Sequence, residues 1–338
     1  MRLDWASLLE ILQQSTRVVL TSHVRPDCDA LGSELGMAAI LESLGKHVRI
    51  VNAQATPPNL KWIDPQGKIE SLATGVKPAD LSDRDLIIVL DTSAWAQLGA
   101  MGDVLKKMRD KVVVIDHHVS EDNLSDRWFK DTTAEATSRI VSEIAQRLRV
   151  TLTESIATPL FAALATDTGW FRFPSTTAET FRIAARLVDA HASPPAIYCE
   201  ICEQDSIARL HLIGRTLCGA TVSHDGKIIT SSLRSSDIKE TGAVPSDTED
   251  LVNLTLAVKG TQMAVILIEQ SDGRIKVSFR SRSHVDASEL AARFGGGGHK
   301  AAAGAILDGP FESACERVAV AVDQCWQNGL VVPVPSAK

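Results

Sequence analysis

Short apolar runs alternate with amphipathic segments through the first half of the chain. Residues 18–20, 48–51, 86–90 and 112–115 form such runs, and each has the length of a strand. Runs that are apolar on both faces and separated by helical segments are typical of parallel strands with helices on both faces of the sheet. The pattern therefore predicts an α/β fold built on a parallel sheet.

Helical patterns occupy most of the remaining first half. Helices are predicted over Trp5–Gln14 and over residues 33–44, where Gly45 provides the C-terminal end. Helical patterns also dominate residues 134–219. These segments supply the helices that a parallel sheet needs on its two faces.

Beyond residue 219 the pattern changes from helices to hairpins. The predicted elements are hairpins with turns at Asp225-Gly226 and Asp272-Gly273, a glycine run over residues 295–298 and a helix over residues 311–326. The second hairpin pairs residues 264–269 with residues 275–280. We expect a smaller C-terminal α/β domain.

The length of 338 residues exceeds that of one ordinary domain, so a division of the chain is expected. We predict an N-terminal parallel-sheet domain over residues 1–191, a helical connector over residues 192–210, and a smaller α/β domain over residues 211–338. The connector begins near a Ser-Pro-Pro sequence at residues 193–195.

Charge and cysteine content restrict the class of function. The net charge is −7, from 35 basic and 42 acidic side chains, so the broad basic surface that holds a long nucleic acid is not expected. No apolar run has the length of a membrane span, and the N-terminus does not read as a secretory signal. Six cysteines without a framework spacing suit reduced thiols. The sequence predicts a cytoplasmic protein without a membrane partner.

Acidic and His residues follow three of the predicted strands, and a further acidic residue lies in the helical region. They are His23, Asp27 and Asp29, then Asp91, then Asp116, His117 and His118, and finally Asp167. The carboxyl ends of parallel strands meet at one edge of a sheet. Each residue alone is more typical of a cap or a loop, but like charges brought together are costly unless a cation neutralises them. We therefore predict a site for divalent metal at this edge.

The predicted ligands are mostly carboxylates with some imidazole. This chemistry suits Mn²⁺ better than structural zinc, which favours thiolate-rich sites. More than four candidate ligands imply two ions, which in such sites lie about 3.5–4 Å apart and act together in phosphoryl transfer.

Five segments carry a resemblance to a known family. Asp116-His117-His118, His23 with Asp27-x-Asp29, Asp91, and Asp167-Thr168-Gly169 resemble the four motifs of the DHH phosphoesterase superfamily, and residues 294–304 resemble the glycine-rich signature of the DHHA1 domain. Length and arrangement are similar to the bifunctional oligoribonuclease (nanoRNase) and pAp phosphatase group. Residues 1–191 would then be the DHH domain and residues 211–338 the DHHA1 domain. Cys28 departs from the pattern, because the family usually has glycine there.

The resemblance implies a role for each residue of the site. One ion would be held by His23, Asp27 and Asp91, and the second by Asp29, Asp91, His117 and Asp167. Asp91 would bridge the two ions, and a water or hydroxide spanning them would be the nucleophile. His118 would contact a substrate phosphate or donate a proton to the leaving oxygen. Two Mn²⁺ ions are the expected cofactors, with Mg²⁺ or Co²⁺ as alternatives.

The second domain is expected to bind the other end of the substrate. The backbone of Gly297 and Gly298 can approach a ligand closely, and His299 follows them. Arg280 offers a guanidinium suited to phosphate, with Arg282 as a second candidate.

The resemblance implies a hydrolase that cuts very short 5′-phosphorylated oligoribonucleotides to mononucleotides and removes the 3′-phosphate of pAp. Short RNA or DNA oligonucleotides and pAp are the expected partners, and a homodimer is among the options for the assembly. The alternatives are a pApA or cyclic-dinucleotide phosphodiesterase and an inorganic pyrophosphatase-like enzyme, which would lack the segment around His299. A dinucleotide-binding dehydrogenase would need Gly-x-Gly-x-x-Gly where this chain has Asp27-Cys28-Asp29.

Overall fold

The apolar runs of the first half form the strands of one parallel sheet. The computed structural model describes residues 3–119 and 122–329, and the chain divides into two units, Met1–Gln204 and Asp205–Lys338. The strands of the first unit are β1 (Arg17–Thr21), β2 (His47–Asn52), β3 (Ile69–Ser71), β4 (Leu86–Leu90), β5 (Val112–Asp116) and β6 (Trp128–Lys130). Its helices are α1 (Trp5–Gln14), α2 (Cys28–Ser43), α3 (Ala100–Lys107), α4 (Thr137–Arg147), α5 (Glu154–Asp167), α6 (Ala178–Asp189) and α7 (Pro194–Cys202).

Both faces of this sheet are buried, as the sequence predicts for strands without polar alternation. Successive residues of β1 illustrate the arrangement, since Leu20 packs in one core and Val19 in the other. The first core includes apolar side chains of α2, α4 and α5, and the second includes those of α3. The prediction of an α/β fold with helices on both faces is confirmed.

The strand order places three candidate segments beside one another. The order across the sheet is β3-β2-β1-β4-β5-β6, and the paired strands are parallel. The neighbours β1, β4 and β5 therefore end at the same edge. Each of these three strands precedes one of the acidic or His clusters.

Helix α2 begins five residues before the predicted start at residue 33. The side chain of Asp27 accepts a hydrogen bond from the backbone N–H of Ala30 at 3.0 Å and so caps the helix. Helix α2 packs closely on α5, because a Cβ on Gly32 would lie 2.4 Å from the carbonyl oxygen of Pro159. A Cβ on Gly36 would lie 2.5 Å from Leu160. These two helices carry Asp29 and Asp167.

The second unit contains a sheet of mixed parallel and antiparallel strands, together with helices. Its strands are β7 (Thr221–Ser223), β8 (Ile228–Leu233), β9 (Met263–Glu269), β10 (Ile275–Ser281), β11 (Gly297–His299) and β12 (Ala302–Leu307), in the order β11-β12-β10-β9-β8-β7. Its helices are α8 (Ile207–Cys218), α9 (Ser235–Thr241), α10 (Leu251–Thr255), α11 (Ala287–Ala292) and α12 (Phe311–Gly329). Both predicted hairpins are present, as β7–β8 and β9–β10. The glycine run ends in the edge strand β11 rather than in a loop.

The predicted connector, residues 192–210, covers α7 and the start of α8. The boundary between the two units, after Gln204, lies in the sequence between these two helices. Pro194 begins α7, where the missing N–H of proline is tolerated. Among residues 3–119 and 122–329, no helix combines the length and the apolar character that crossing a membrane requires.

Candidate metal centre

The carboxyl edge of the first sheet gathers the acidic and His side chains. His23 lies two residues beyond β1, Asp91 directly follows β4, and His117 directly follows β5. Asp91 has a φ of 62°, a left-handed conformation that Asp tolerates better than most residues. This turn places a buried carboxylate, 2% exposed, between the two imidazoles.

Asp91 uses both of its oxygens toward these imidazoles. Its Oδ2 lies 3.4 Å from Nε2 of His23, and its Oδ1 lies 3.4 Å from Nε2 of His117. An ion bound beside each imidazole would therefore have one oxygen of Asp91 next to it.

The remaining candidates lie around the same two imidazoles. Nε2 of His23 lies 3.9 Å from Oδ1 of Asp27. Nε2 of His117 lies 3.5 Å from Oδ2 of Asp167 and 4.0 Å from Oδ2 of Asp29. Within the described residues, the groups whose ligand atoms lie within 4.8 Å of one another are His23–Asp27–Asp91, Asp29–His117–Asp167 and Asp91–His117–His118.

The backbone fixes the orientation of both imidazoles. Nδ1 of His23 lies 3.0 Å from the carbonyl oxygen of Val24, and Nδ1 of His117 lies 3.3 Å from that of Ala134. Nδ1 therefore carries the donated proton, and Nε2 of each ring is directed at carboxylate oxygens. The Nε2 lone pair of each imidazole then faces a carboxylate oxygen, and this contact is favourable only with a proton or a cation between the two atoms. The imidazoles and carboxylates of this cluster therefore fit a metal ion.

The electrostatics of the cluster agree with a site that holds positive charge. Although burial opposes the charged form, contact with Asp91 raises the pKa of His23 to about 9 and that of His117 to about 10. Burial together with Asp91 and Asp167 raises the pKa of Asp29 well above its usual range. Burial also raises the pKa of Asp167 to about 6. Several carboxylates are thus held here at an electrostatic cost that cations relieve.

His118 has different surroundings from His117. Its Nδ1 lies 2.9 Å from Oδ1 of Asp116, which also accepts the backbone N–H of His118 at 3.1 Å. Asp116 is fully buried and accepts a further hydrogen bond from Ser93 Oγ. The Asp116 contact raises the pKa of His118, whose side chain is 51% exposed. An exposed imidazole held by a buried carboxylate is suited to proton transfer.

A buried polar network supports the segment that precedes His23. Nδ2 of Asn52 donates to Oε2 of Glu34 at 2.9 Å, and Oδ1 of Asn52 accepts the backbone N–H of Ser22 at 3.0 Å. Glu34 is fully buried, and burial raises its pKa to about 7. Sequence reasoning missed Glu34 and Asn52, because partners so far apart in the chain leave no periodic signal.

Cys28, which departs from the family pattern, is a buried thiol. Burial raises the pKa of this thiol to about 12. It is one of six free cysteines.

The five residues predicted to bind substrate lie in the second unit. Arg280 on β10 and His299 on β11 both pair with Ala302 of β12, from opposite sides, so their side chains share one face of the sheet. Nε of Arg280 donates to Asn253 at 3.0 Å. Arg282 lies beyond β10, and its Nη1 donates to the carbonyl of Leu256 at 3.4 Å. Gly297 and Gly298 precede His299, and all three are exposed.

The aromatic pair Trp170-Phe171 follows Asp167 in left-handed conformations, with φ of 58° and 62°. Both side chains pack against the core that includes α2 and α5. Packing accounts for their position.

Comparison with known proteins identifies two family domains in the chain. Residues 17–165 match the DHH family, N-terminal domain, and residues 225–328 match the DHHA1 domain. The first match contains the carboxyl ends of strands β1, β4 and β5. The second contains the glycine run and His299.

Relatives of known sequence cover almost the whole chain. A bifunctional oligoribonuclease and PAP phosphatase NrnA of Thermus thermophilus is 31% identical over 314 residues, which are 90% of this chain and 89% of the relative. The NrnA of Bacillus subtilis is 27% identical over 303 residues, 89% of this chain and 92% of the relative. The crystal structure of an exopolyphosphatase-related protein from Bacteroides fragilis is 26% identical with a TM-score of 0.84, and the match covers 96% of this chain and 95% of that one.

The two domain matches and these full-length relatives agree with the motif order of the sequence. The chain belongs to the DHH/DHHA1 phosphoesterase family, in the group of the bifunctional oligoribonucleases and PAP phosphatases.

Proposed function

We propose that the protein is a metal-dependent hydrolase that cuts very short 5′-phosphorylated oligoribonucleotides to mononucleotides and removes the 3′-phosphate of pAp. The observation that carries the proposal is Asp91, which presents one oxygen to His23 and the other to His117, each with further carboxylates beside it. The relatives named as bifunctional oligoribonucleases and PAP phosphatases support the same activity.

The donor set supports two divalent ions. We assign His23, Asp27 and Asp91 to one ion, and Asp29, Asp91, His117 and Asp167 to the other. Carboxylates with imidazole favour Mn²⁺, with Mg²⁺ or Co²⁺ as alternatives. When bound, such ions lower the pKa of a water molecule and neutralise charge on the scissile phosphate.

The side chains outside the ligand set position the substrate and move protons. His118, held through Nδ1 by Asp116, has its Nε2 available to contact a phosphate oxygen or to give a proton to the leaving oxygen. In the second unit, Arg280 and His299 on their shared sheet face, with the exposed backbone of Gly297 and Gly298, suit a terminal phosphate. Arg282 is a weaker candidate for the same contact.

The charge balance favours small substrates over long ones. A net charge of −7 gives a long polyanion no general attraction, so a substrate must be held locally. Short RNA or DNA oligonucleotides and pAp meet this condition. We also place the protein in the cytoplasm, which suits its six free cysteines.

Steady-state kinetics over a substrate panel tests the function. The panel is pAp, pApA, a cyclic dinucleotide, pyrophosphate and RNAs of two to ten nucleotides, assayed with Mn²⁺. We expect the highest kcat/KM for pAp and the shortest 5′-phosphorylated RNAs. A preference for pyrophosphate, or activity confined to pApA or the cyclic dinucleotide, would replace this proposal with the corresponding alternative.

A further inference from the structure

Helix α4 begins without a cap of its own. Its N-cap residue is Ala136, which has no side chain able to accept a hydrogen bond. The first backbone N–H groups of the helix are directed instead at Asp29, more than a hundred residues earlier in the chain. Thr137 N–H donates to Oδ2 of Asp29 at 2.7 Å, and Ser138 N–H donates to Oδ1 at 3.1 Å. The proposed metal ligand therefore caps α4.

The side chain of Thr137 contacts a second proposed ligand. Its hydroxyl donates to Oδ1 of Asp91 at 2.9 Å. Thr137 is fully buried, and both carboxylates are 2% exposed. One residue thus holds Asp29 through its backbone and Asp91 through its side chain.

These hydrogen bonds determine which oxygens of Asp29 stay available. Oδ1 of Asp29 takes both the Ser138 N–H and the Ser33 hydroxyl, the latter at 3.3 Å. Among the described residues, Oδ2 accepts only the Thr137 N–H and keeps a lone pair, and this is the oxygen 4.0 Å from Nε2 of His117. These hydrogen bonds therefore leave Oδ2 of Asp29 available for a cation that His117 also binds.

We propose that Thr137 is a positioning residue of the metal centre, which fixes the rotamers and the separation of Asp29 and Asp91. The inference rests on the proposed function, because it takes these two carboxylates as metal ligands. Two buried carboxylates repel each other, and without a donor between them each would turn toward another partner. Groups that orient metal ligands in this way typically contribute about 10–100-fold to metal affinity.

The test compares Mn²⁺ binding to metal-free protein by isothermal titration calorimetry. Thr137→Val removes the hydroxyl and keeps the shape and the backbone N–H, so we expect about 10–100-fold weaker Mn²⁺ binding. Thr137→Ser keeps the hydroxyl and should restore wild-type affinity. Thr137→Pro, tolerated at the first position of a helix, removes the N–H as well and should weaken binding further. Thr137→Ala replaces the Val variant if that variant does not fold.

A matched control separates positioning from general stability. Thr216 is also fully buried, and its hydroxyl bonds to the carbonyl of Leu212 within α8. Thr216→Val should lower the melting temperature of the metal-free protein without changing Mn²⁺ affinity. Equal Mn²⁺ affinity in wild type, Thr137→Val and Thr137→Ser, with only the melting temperature changed, would overturn the inference.

Asp91→Asn distinguishes this failure from failure of the proposed function. If Asp91→Asn loses Mn²⁺ binding while Thr137→Val binds like wild type, only the role of Thr137 is wrong. If Asp91→Asn binds Mn²⁺ like wild type, the metal centre itself is wrong, and the role of Thr137 fails with it.

Discussion

The two regions assigned to substrate differ in how firmly their side chains are held. At the edge of the first sheet, Asp29 and Asp91 are buried, and each has several hydrogen-bonding or charged neighbours. On the second sheet, His299 lies exposed on a short edge strand, and Arg280 is partly exposed beside Asn253. One region is preorganised, while the other has little around it to fix its geometry.

The side chains of the two regions are constrained for different physical reasons. A buried carboxylate without partners costs several kcal/mol, so the first region must be satisfied from many sides and tolerates few changes. Exposed groups on an edge strand have water as a partner, so their replacement costs little stability. Substitutions are therefore expected to be tolerated less well in the first region than in the second.

Replacement of Asp91, between His23 and His117, is expected to reduce activity the most. Asp91→Asn should lower kcat/KM by several decades at saturating Mn²⁺, because the amide cannot serve both proposed ions. The fold should survive, since Asn accepts the left-handed backbone at a φ of 62°. Activity above about a tenth of wild type would contradict a bridging role.

The next effect separates the two neighbouring histidines. His118→Ala should slow turnover by about 10²–10⁴-fold, the usual contribution of proton transfer, and should keep the metal content. His117→Ala should lose metal as well as activity, because its Nε2 faces Asp29, Asp91 and Asp167. Elemental analysis of both variants decides the matter, and equal metal loss would contradict the division of roles.

A smaller effect is expected in the exposed region. Arg280→Ala and His299→Ala should each reduce kcat/KM on 5′-phosphorylated dinucleotides by about 10–10³-fold. Removing the 5′-phosphate of the substrate should cost the wild type a similar factor and the variants little more. Arg274→Ala is the matched control, because this arginine lies on the hairpin turn and pairs with Asp272. If the losses from variant and substrate simply multiply, the phosphate binds elsewhere.

The smallest effect concerns stability rather than activity. Glu34 has its pKa raised by burial from 4.5 to about 7, so the folded state binds this proton more tightly than the unfolded state. Its contribution to stability is therefore complete below pH 4.5 and is lost as the pH rises to 7. Glu34→Gln removes this dependence and can still accept the hydrogen bond from Asn52.

Urea unfolding with EDTA measures this difference. Relative to wild type, Glu34→Gln should gain about 3 kcal/mol in the free energy of unfolding between acidic and mildly alkaline pH. Glu10→Gln, on the exposed face of α1, is the control and should differ equally from wild type at both pH values. A constant difference for Glu34→Gln would show that this carboxyl titrates normally.

Much of the first sheet could be predicted because four of its six strands contain apolar runs. The runs that became β1, β4 and β5 are buried on both faces, which gives a clear sequence signal, whereas β2 is buried only over residues 50–52. The edge strands β3 and β6 have three residues each and carry no such signal. The helix predicted over residues 33–44 is present, but it begins at Cys28. Its N-cap, Asp27, had been interpreted as a residue of the metal motif and not as a helix cap.

The sheet topology predicts site residues only where they follow strands, whereas Asp167, at the end of helix α5, was predicted from its resemblance to a family motif. Parallel topology brings the residues beyond β1, β4 and β5 together whatever the intervening sequence. Thr137 begins a helix in an ordinary helical pattern, and its partners Asp29 and Asp91 are 108 and 46 residues away. Such a contact depends on how α4 packs in the folded protein, and the local hydrophobic pattern of the sequence does not indicate this packing.

The close packing of α2 on α5 makes the dimensions of the centre depend on residues without side chains. Gly32 lies one turn from Asp29, and its α-hydrogens face the carbonyl of Pro159 on the helix that ends in Asp167. A methyl group at position 32 would push the two helices apart and widen the gap between the carboxylates they deliver. The separation of Asp29 and Asp167 would thus be sensitive to a residue that is not itself among the proposed ligands.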